Sequence, residues 1–212
     1  MRDPNNPCLF CNSKISGIAH ENELAYASYD TYPVSQHHCL IIPKRHVVDY
    51  FDLSDGELIA CNNLIKIIKE DVLSKDNTVK AFNIGTNAGE IAGQSIMHCH
   101  IHVIPRREGD VDNPQGGVRS VIPKRHVIDY FELTDEELVA CNDLIKVIKE
   151  EILIKDKNVK AFNIGTNVGK IAGQSIMHCH IHLIPRREGD VENPQGGVRS
   201  VIPQKQHYKR KI

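Results

Sequence analysis

The sequence predicts an α+β protein built on an antiparallel sheet and a long helix, followed by a truncated second copy of most of that unit. Three observations carry the prediction. They are an internal repeat, apolar series at helical spacing behind capping boxes, and short alternating or β-branched runs that are not arranged as βα units. Pro43 to Ile122 aligns without a gap on Pro123 to Ile202, with 64 of 80 positions identical. Most of the differences, such as Val48/Ile128, Asp52/Glu132 and Val103/Leu183, keep volume and charge sign, so both copies tolerate one local fold. The chain therefore divides into a whole domain at 1–122, a copy of 43–122 without its N-terminal strands at 123–202, and a basic tail at 203–212.

Taken in order, Leu24 to Asp30 and His37 to Ile42 predict a strand pair connected through Tyr32-Pro33-Val34-Ser35. Ser54-x-x-Glu57 and Thr134-x-x-Glu137 are capping boxes. The first opens the series Leu58, Cys61, Leu64, Ile65, Ile68 and Val72, which predicts a helix of about five turns. Val79 to Gly85 and Ile96 to Ile104 read as adjacent strands joined by a glycine-bearing loop, Thr86 to Ser95. Val118 to Ile122 can serve the second copy as its entering strand, in the role that Cys39 to Ile42 has in the first. Lacking the preceding strand, the second copy is expected to cover its edge and helix face by packing on the first as an intrachain pseudo-dimer, or by exchange with another chain.

Composition narrows the function. Lys plus Arg is 26 against 27 for Asp plus Glu, a net charge of −1, so counterion release cannot drive binding and no nucleic-acid partner is expected. No apolar run exceeds four residues and Met1 to Asn6 holds no hydrophobic segment, so neither a membrane partner nor export is expected. Seven cysteines, an odd number that includes Cys8-x-x-Cys11, suit a reducing compartment and a cytoplasmic location.

The chemistry concentrates in His98-Cys99-His100-Ile101-His102. On a strand, three imidazoles at i, i+2 and i+4 project from one face while Cys99, Ile101 and Val103 enter the core. Imidazole is the side chain most easily poised near neutral pH as nucleophile or acid–base group. Phosphoryl chemistry also needs donors for equatorial oxygens, and the loop before the strand offers backbone N–H groups with Asn87, Gln94 and Ser95.

The stretch Gly93 to Arg106, with Pro43-Lys44-Arg45-His46, Phe82 to Asn87 and Asp30 before Tyr32-Pro33, resembles the histidine triad family of nucleotide hydrolases and transferases. The resemblance covers residues 7–122 and, without its first third, 123–202. It implies attack by His100 on the α-phosphorus of a nucleotide, giving a covalent nucleotidyl-histidine. His98 would orient the nucleophile. His102 and Ser95 would assist at the phosphate and leaving group, Asn87 and Gln94 would hold phosphate oxygens, and Asp30 would accept ribose hydroxyls. In the second copy His180, His178, His182, Ser175, Asn167 and Gln174 match, but no residue matches Asp30. His37 departs from the family, whose members usually carry glycine there. Dinucleoside polyphosphates, nucleoside phosphoramidates and adenylylated acyl groups all remain open as substrates, and the family is commonly homodimeric.

Cys8, Cys11, His46 and His98 also resemble the two-cysteine, two-histidine set with which some family members bind zinc. A closed four-ligand site is structural. One zinc per chain is expected, because the repeat copies the histidines but not the cysteines. Two other readings are a nucleotide-binding regulatory protein of low turnover, and a metal-dependent hydrolase with His98, His100 and His102 all on a catalytic ion.

Overall fold

The computed structural model describes residues 7–11, 17–110 and 120–206. Both capping boxes form. Ser54 Oγ accepts from Glu57 N–H at 3.3 Å while Glu57 Oε2 accepts from Ser54 N–H at 3.0 Å, and Thr134 and Glu137 repeat the exchange at 3.2 and 3.0 Å. They open α1 (Asp55–Lys75) and α2 (Asp135–Lys155), each of 21 residues, about one turn longer than expected. The six apolar residues expected on the inner face of α1 are all buried. No helix among the described residues is long and apolar enough to cross a membrane.

The strands are β1 (Ile18–Glu21), β2 (Ala25–Tyr29), β3 (Cys39–Pro43), β4 (Ala81–Ala88), β5 (Ile101–Arg106), β6 (Ser120–Val121), β7 (Val159–Val168) and β8 (Ile181–Arg187). They form one antiparallel sheet in the order β1-β2-β3-β5-β4-β7-β8-β6. The α+β class is as expected. Sequence reading missed β1, a four-residue edge strand with no apolar alternation. It also placed the start of β5 five residues too early. His98 N–H donates to Ile96 O (2.8 Å) and Cys99 N–H to Val47 O (2.7 Å), so this backbone bonds to its own turn and to the loop after β3 before the ladder begins at Ile101. Of the expected entering strand, Ser120 and Val121 form β6, whereas Val118 and Arg119 lie outside the described residues, as do 207–212 of the tail.

The two copies meet along β4 and β7, in register from Phe82↔Val168 to Ala88↔Phe162 with Gly85↔Gly165 at the centre. A Cβ on either glycine would stand 2.8 Å from the opposite carbonyl, of Ile164 or Ile84, which explains why this crossing uses glycine. Reciprocal contacts flank the seam. Phe51 meets Phe162 edge-on at 5.8 Å, Phe82 meets Phe131 at 5.9 Å, and Lys69 and Lys149 each stand 4.5 Å over the other copy's Phe131 and Phe51. One apolar cluster runs through both halves. The second copy thus packs on the first within the chain. His37, where glycine would be natural, is held at φ +66°, a left-handed conformation that costs an L-residue roughly 1–2 kcal/mol.

Candidate active site

The triad lies on the outer face of the sheet, with its alternation intact although His98 and His100 precede β5. His98, His100 and His102 are all buried, and Cys99, Ile101 and Val103 fill the core behind them. Each ring has a different job. A carbonyl only accepts, so His98 Nε2 carries the proton toward Pro43 O (3.0 Å), which leaves the Nδ1 lone pair facing the cysteines. His100 Nδ1–H donates to His98 O at 2.7 Å, which makes Nε2 the lone-pair nitrogen of the neutral ring. His102 Nδ1 lies 3.0 Å from His38 Nε2, and among the described residues its buried Nε2 has no hydrogen-bond partner.

Behind His102 the chain of side chains continues, His38 Nδ1 lying 3.2 Å from Asp30 Oδ2. Burial, with Arg199 nearby, lowers His38 to about 4 even against the raising effect of Asp30. Burial first, then His100, His38 and Arg199, holds His102 well below its ordinary value. Both rings are therefore neutral near pH 7.

Asp30 has further partners. It accepts from Tyr32 N–H (2.9 Å) and pairs with Arg199 Nη1 at 2.6 Å. Arg199 comes from a 3-10 turn (Gly197–Val201) near the end of the second copy, and only 4% of it is exposed. Any hydroxyl-bearing ligand approaching Asp30 must share it with, or displace, that guanidinium. Sequence reading missed this contact. Arg119 repeats Arg199, but nothing in the repeat says which carboxylate either one meets.

Gln94 is placed differently from the expected phosphate ligand. Its Oε1 accepts from Gly89 N–H (2.8 Å) and its Nε2 donates to Val48 O and Ile96 O (2.6 and 3.1 Å), so the amide staples the glycine-bearing loop. Gln174 does the same with Gly169, Ile128 and Ile176. Asn87 Oδ1 accepts from Asn163 Nδ2 (2.8 Å) and Val198 N–H (2.9 Å), both in the second copy. Asn167 Oδ1 accepts from Asn83 Nδ2 at 2.7 Å. Ser95 and Ser175 are exposed on the loops leading to the triads.

Cys8, Cys11, His46 and His98 bring their ligand atoms within 4.8 Å of one another. Cys8 Sγ and Cys11 Sγ each lie 3.4 Å from His98 Nδ1, and Cys11 Sγ lies 3.2 Å from His46 Nδ1. A tetrahedral ion with the usual Zn–S and Zn–N lengths sets sulfur–nitrogen edges of about 3.5 Å, so the donor set fits one. Burial, with the adjacent Cys8, raises the Cys11 thiol to about 11, a shift that a bound dication reverses. Phe10, between the cysteines, packs edge-on against His98 and His100 at 5.9 and 5.3 Å.

The second triad keeps the internal geometry. His180 Nδ1–H donates to His178 O (2.8 Å), His178 Nε2–H donates to Pro123 O (3.1 Å), and the His126 and His178 rings stand 4.7 Å apart. Its surroundings differ. Ser120 Oγ, at 3.1 Å from His182 Nδ1, occupies the place that His38 has beside His102, and Cys8 and Cys11 lie with the first copy.

A HIT domain profile matches residues 14–109 and again 115–189. The chain belongs to the HIT family. An uncharacterized HIT-like protein of Methanocaldococcus jannaschii is 37% identical over 108 residues, 49% of this HIT chain and 81% of the relative. An adenylylsulfatase of Arabidopsis thaliana is 34% identical over 50% of this chain and 55% of its own length. An adenosine 5'-monophosphoramidase of Saccharomyces cerevisiae is 34% identical over 48% and 63%. The chain thus spans little more than half of these two enzymes. A GalT-like protein of Arabidopsis thaliana, 13% identical with a TM-score of 0.57, matches 92% of this chain and 88% of its own, which extends the likeness in fold across both copies.

Proposed function

We propose that this HIT chain hydrolyses or transfers nucleotides at the α-phosphate through a covalent intermediate on His100, with one competent site in the first copy. The observation that carries the reading is the His100 Nδ1–H bond to the His98 carbonyl, which makes Nε2 the lone-pair nitrogen of the neutral ring. The Nε2 pair attacks phosphorus and a P–N bond forms as the bond to the leaving group breaks; the leaving group departs with that electron pair and takes up a proton from solvent water. The cation growing on the ring is stabilised through Nδ1–H by the carbonyl it already meets. Water then attacks phosphorus, loses a proton, and the P–N electrons return to Nε2.

The neighbours divide the remaining work. Neutral His102 and Asn87 face the phosphoryl oxygens and leaving group with Ser95, and Asp30 holds the ribose beside Arg199. Gln94 and Gln174 act through their loops. His180, with Asn167 and Ser175, forms a second triad without a nucleoside floor, and it contributes little turnover. Cys8, Cys11, His46 and His98 would hold zinc, which would supply a structural tie, and their grip would fix the ring of His98, the residue whose carbonyl orients the nucleophile. The alternative of one catalytic ion on all three triad histidines is disfavoured, because His98 Nδ1 faces the cysteines and His102 Nδ1 faces His38.

Two of the relatives above bear names of adenylyl-group hydrolases that differ in the leaving group, sulfate in one and amine in the other. This supports a nucleoside monophosphoryl group as the shared part of the substrate. The test is release of AMP from adenosine phosphoramidate and from a diadenosine polyphosphate. Catalytic release of AMP from either is expected, and tight nucleotide binding with no release from both would favour a regulatory protein.

A further inference from the structure

We infer that Asn163 and Arg186, both in the second copy, are positioning residues for the first site, an inference that rests on the reading of His100 as its nucleophile. A guanidinium has only donors, so Arg186 Nη1, 2.6 Å from Asn163 Oδ1, fixes which end of that amide is oxygen. The other end, Nδ2, then points across the seam, where it donates to Asn87 Oδ1 and to Ala92 O, both at 2.8 Å. Val198 N–H donates to the same Asn87 oxygen at 2.9 Å. With two donors on its oxygen, Asn87 must offer its Nδ2–H₂ as the end left for a phosphate oxygen. A flipped Asn87 would offer oxygen to an anion.

The orientation is held in a dry setting. Asn87, Asn163 and Arg186 are exposed by 3%, 8% and 8%, and Arg186 is itself clamped by Asp190 at 2.9 Å through Nε and Nη2. The second contact, to Ala92 O, ties the same amide to the loop that carries Gln94 and Ser95 toward the triad. The second copy, which has no counterpart of Asp30, therefore sets the polarity of a donor in the first site.

The seam contains its own control. Arg106, clamped by Asp110, donates to Asn83 Oδ1 (2.6 Å), and Asn83 Nδ2 donates to Asn167 Oδ1 (2.7 Å) and Ala172 O (2.8 Å), so the same wiring runs the other way to the second triad. Asn83 and Asn163 are almost equally buried, at 5% and 8%. Asn163→Asp keeps the acceptor for Arg186, removes the donor to Asn87 and sets a negative charge against its oxygen. Asn83→Asp makes the same change toward Asn167.

With the full-length protein and a substrate that releases AMP, Asn163→Asp is expected to lower kcat at least about tenfold with a smaller change in KM, while Asn83→Asp stays within about twofold of wild type. Damage to the seam alone would weaken both variants alike. Should Asn163→Asp not fold, Arg186→Gln against Arg106→Gln reads the same asymmetry, with at least about a threefold loss expected for the first only. Equal losses in the paired variants, or wild-type kcat in Asn163→Asp, would overturn the inference. Retained activity in His100→Ala would instead remove the reading on which it rests.

Discussion

His100→Ala is expected to abolish nucleotide turnover, with a loss of more than about 10²-fold in kcat. The variant removes the nitrogen that, in the first triad, the Nδ1–H bond to the His98 carbonyl leaves as the lone pair, while His98 Nδ1 faces the cysteine cluster and His102 Nδ1 faces His38. The ring packs against Phe10 and His102 at 5.3 and 5.1 Å, so its removal costs some packing, but it holds no strand together, and a cooperative melt and nucleotide binding should persist. His180→Ala, on the copy without a counterpart of Asp30, is expected to stay within about twofold of wild type. Steady-state kinetics of the two variants with one substrate check both statements. The opposite pattern would move the working site to the second copy.

The second large effect concerns metal. Elemental analysis of the purified chain is expected to give one zinc, because Cys8 and Cys11 lie beside His46 and His98 and, among the described residues, the equivalent pair, His126 and His178, joins no such cysteine cluster. An ion that binds only the folded chain at about 1,000 times its Kd stabilises it by about 4 kcal/mol, or roughly 8–16 °C in Tm for a chain of this size. Chelation, or Cys11→Ser, should therefore lower the melting temperature by roughly 10 °C. It should also slow turnover less than His100→Ala does, since the ion acts through the position of His98. Two zincs per chain, or a melt indifferent to chelator, would remove the site.

Much of this was legible in the sequence because its signals are local. Ser54 and Glu57, or Thr134 and Glu137, satisfy one another within a single turn, so a helix start is written in four residues. The alternation of His98, His100 and His102 against Cys99, Ile101 and Val103 survives even where no ladder forms, because any extended backbone alternates its side chains. What could not be read depends on partners far away in the chain. β1 is a strand because β2 pairs with it, and β5 starts late because Val47 O captures Cys99 N–H. Gln94 was expected to hold phosphate from its place in a motif, yet its amide bonds to the main chain at 48, 89 and 96. The Arg199–Asp30 pair spans 169 residues, and the Asn163–Asn87 bond spans 76. Neither follows from a repeat in which Arg199, Asn163 and Asn87 each have an identical twin, at Arg119, Asn83 and Asn167.

The central claim is a covalent bond between phosphorus and His100, and the two copies can be told apart chemically. Glu90 is replaced by Lys170 in the repeat, so trypsin releases residues 81–106 as one peptide from the first copy but 171–186 from the second. Turnover quenched in base, which preserves an acid-labile P–N bond, followed by peptide mass analysis, tests the claim directly. A nucleoside monophosphoryl group on His100 within 81–106, absent from His100→Ala, is the result expected. The same group on His180 within 171–186, or rapid turnover with neither peptide modified, would contradict it.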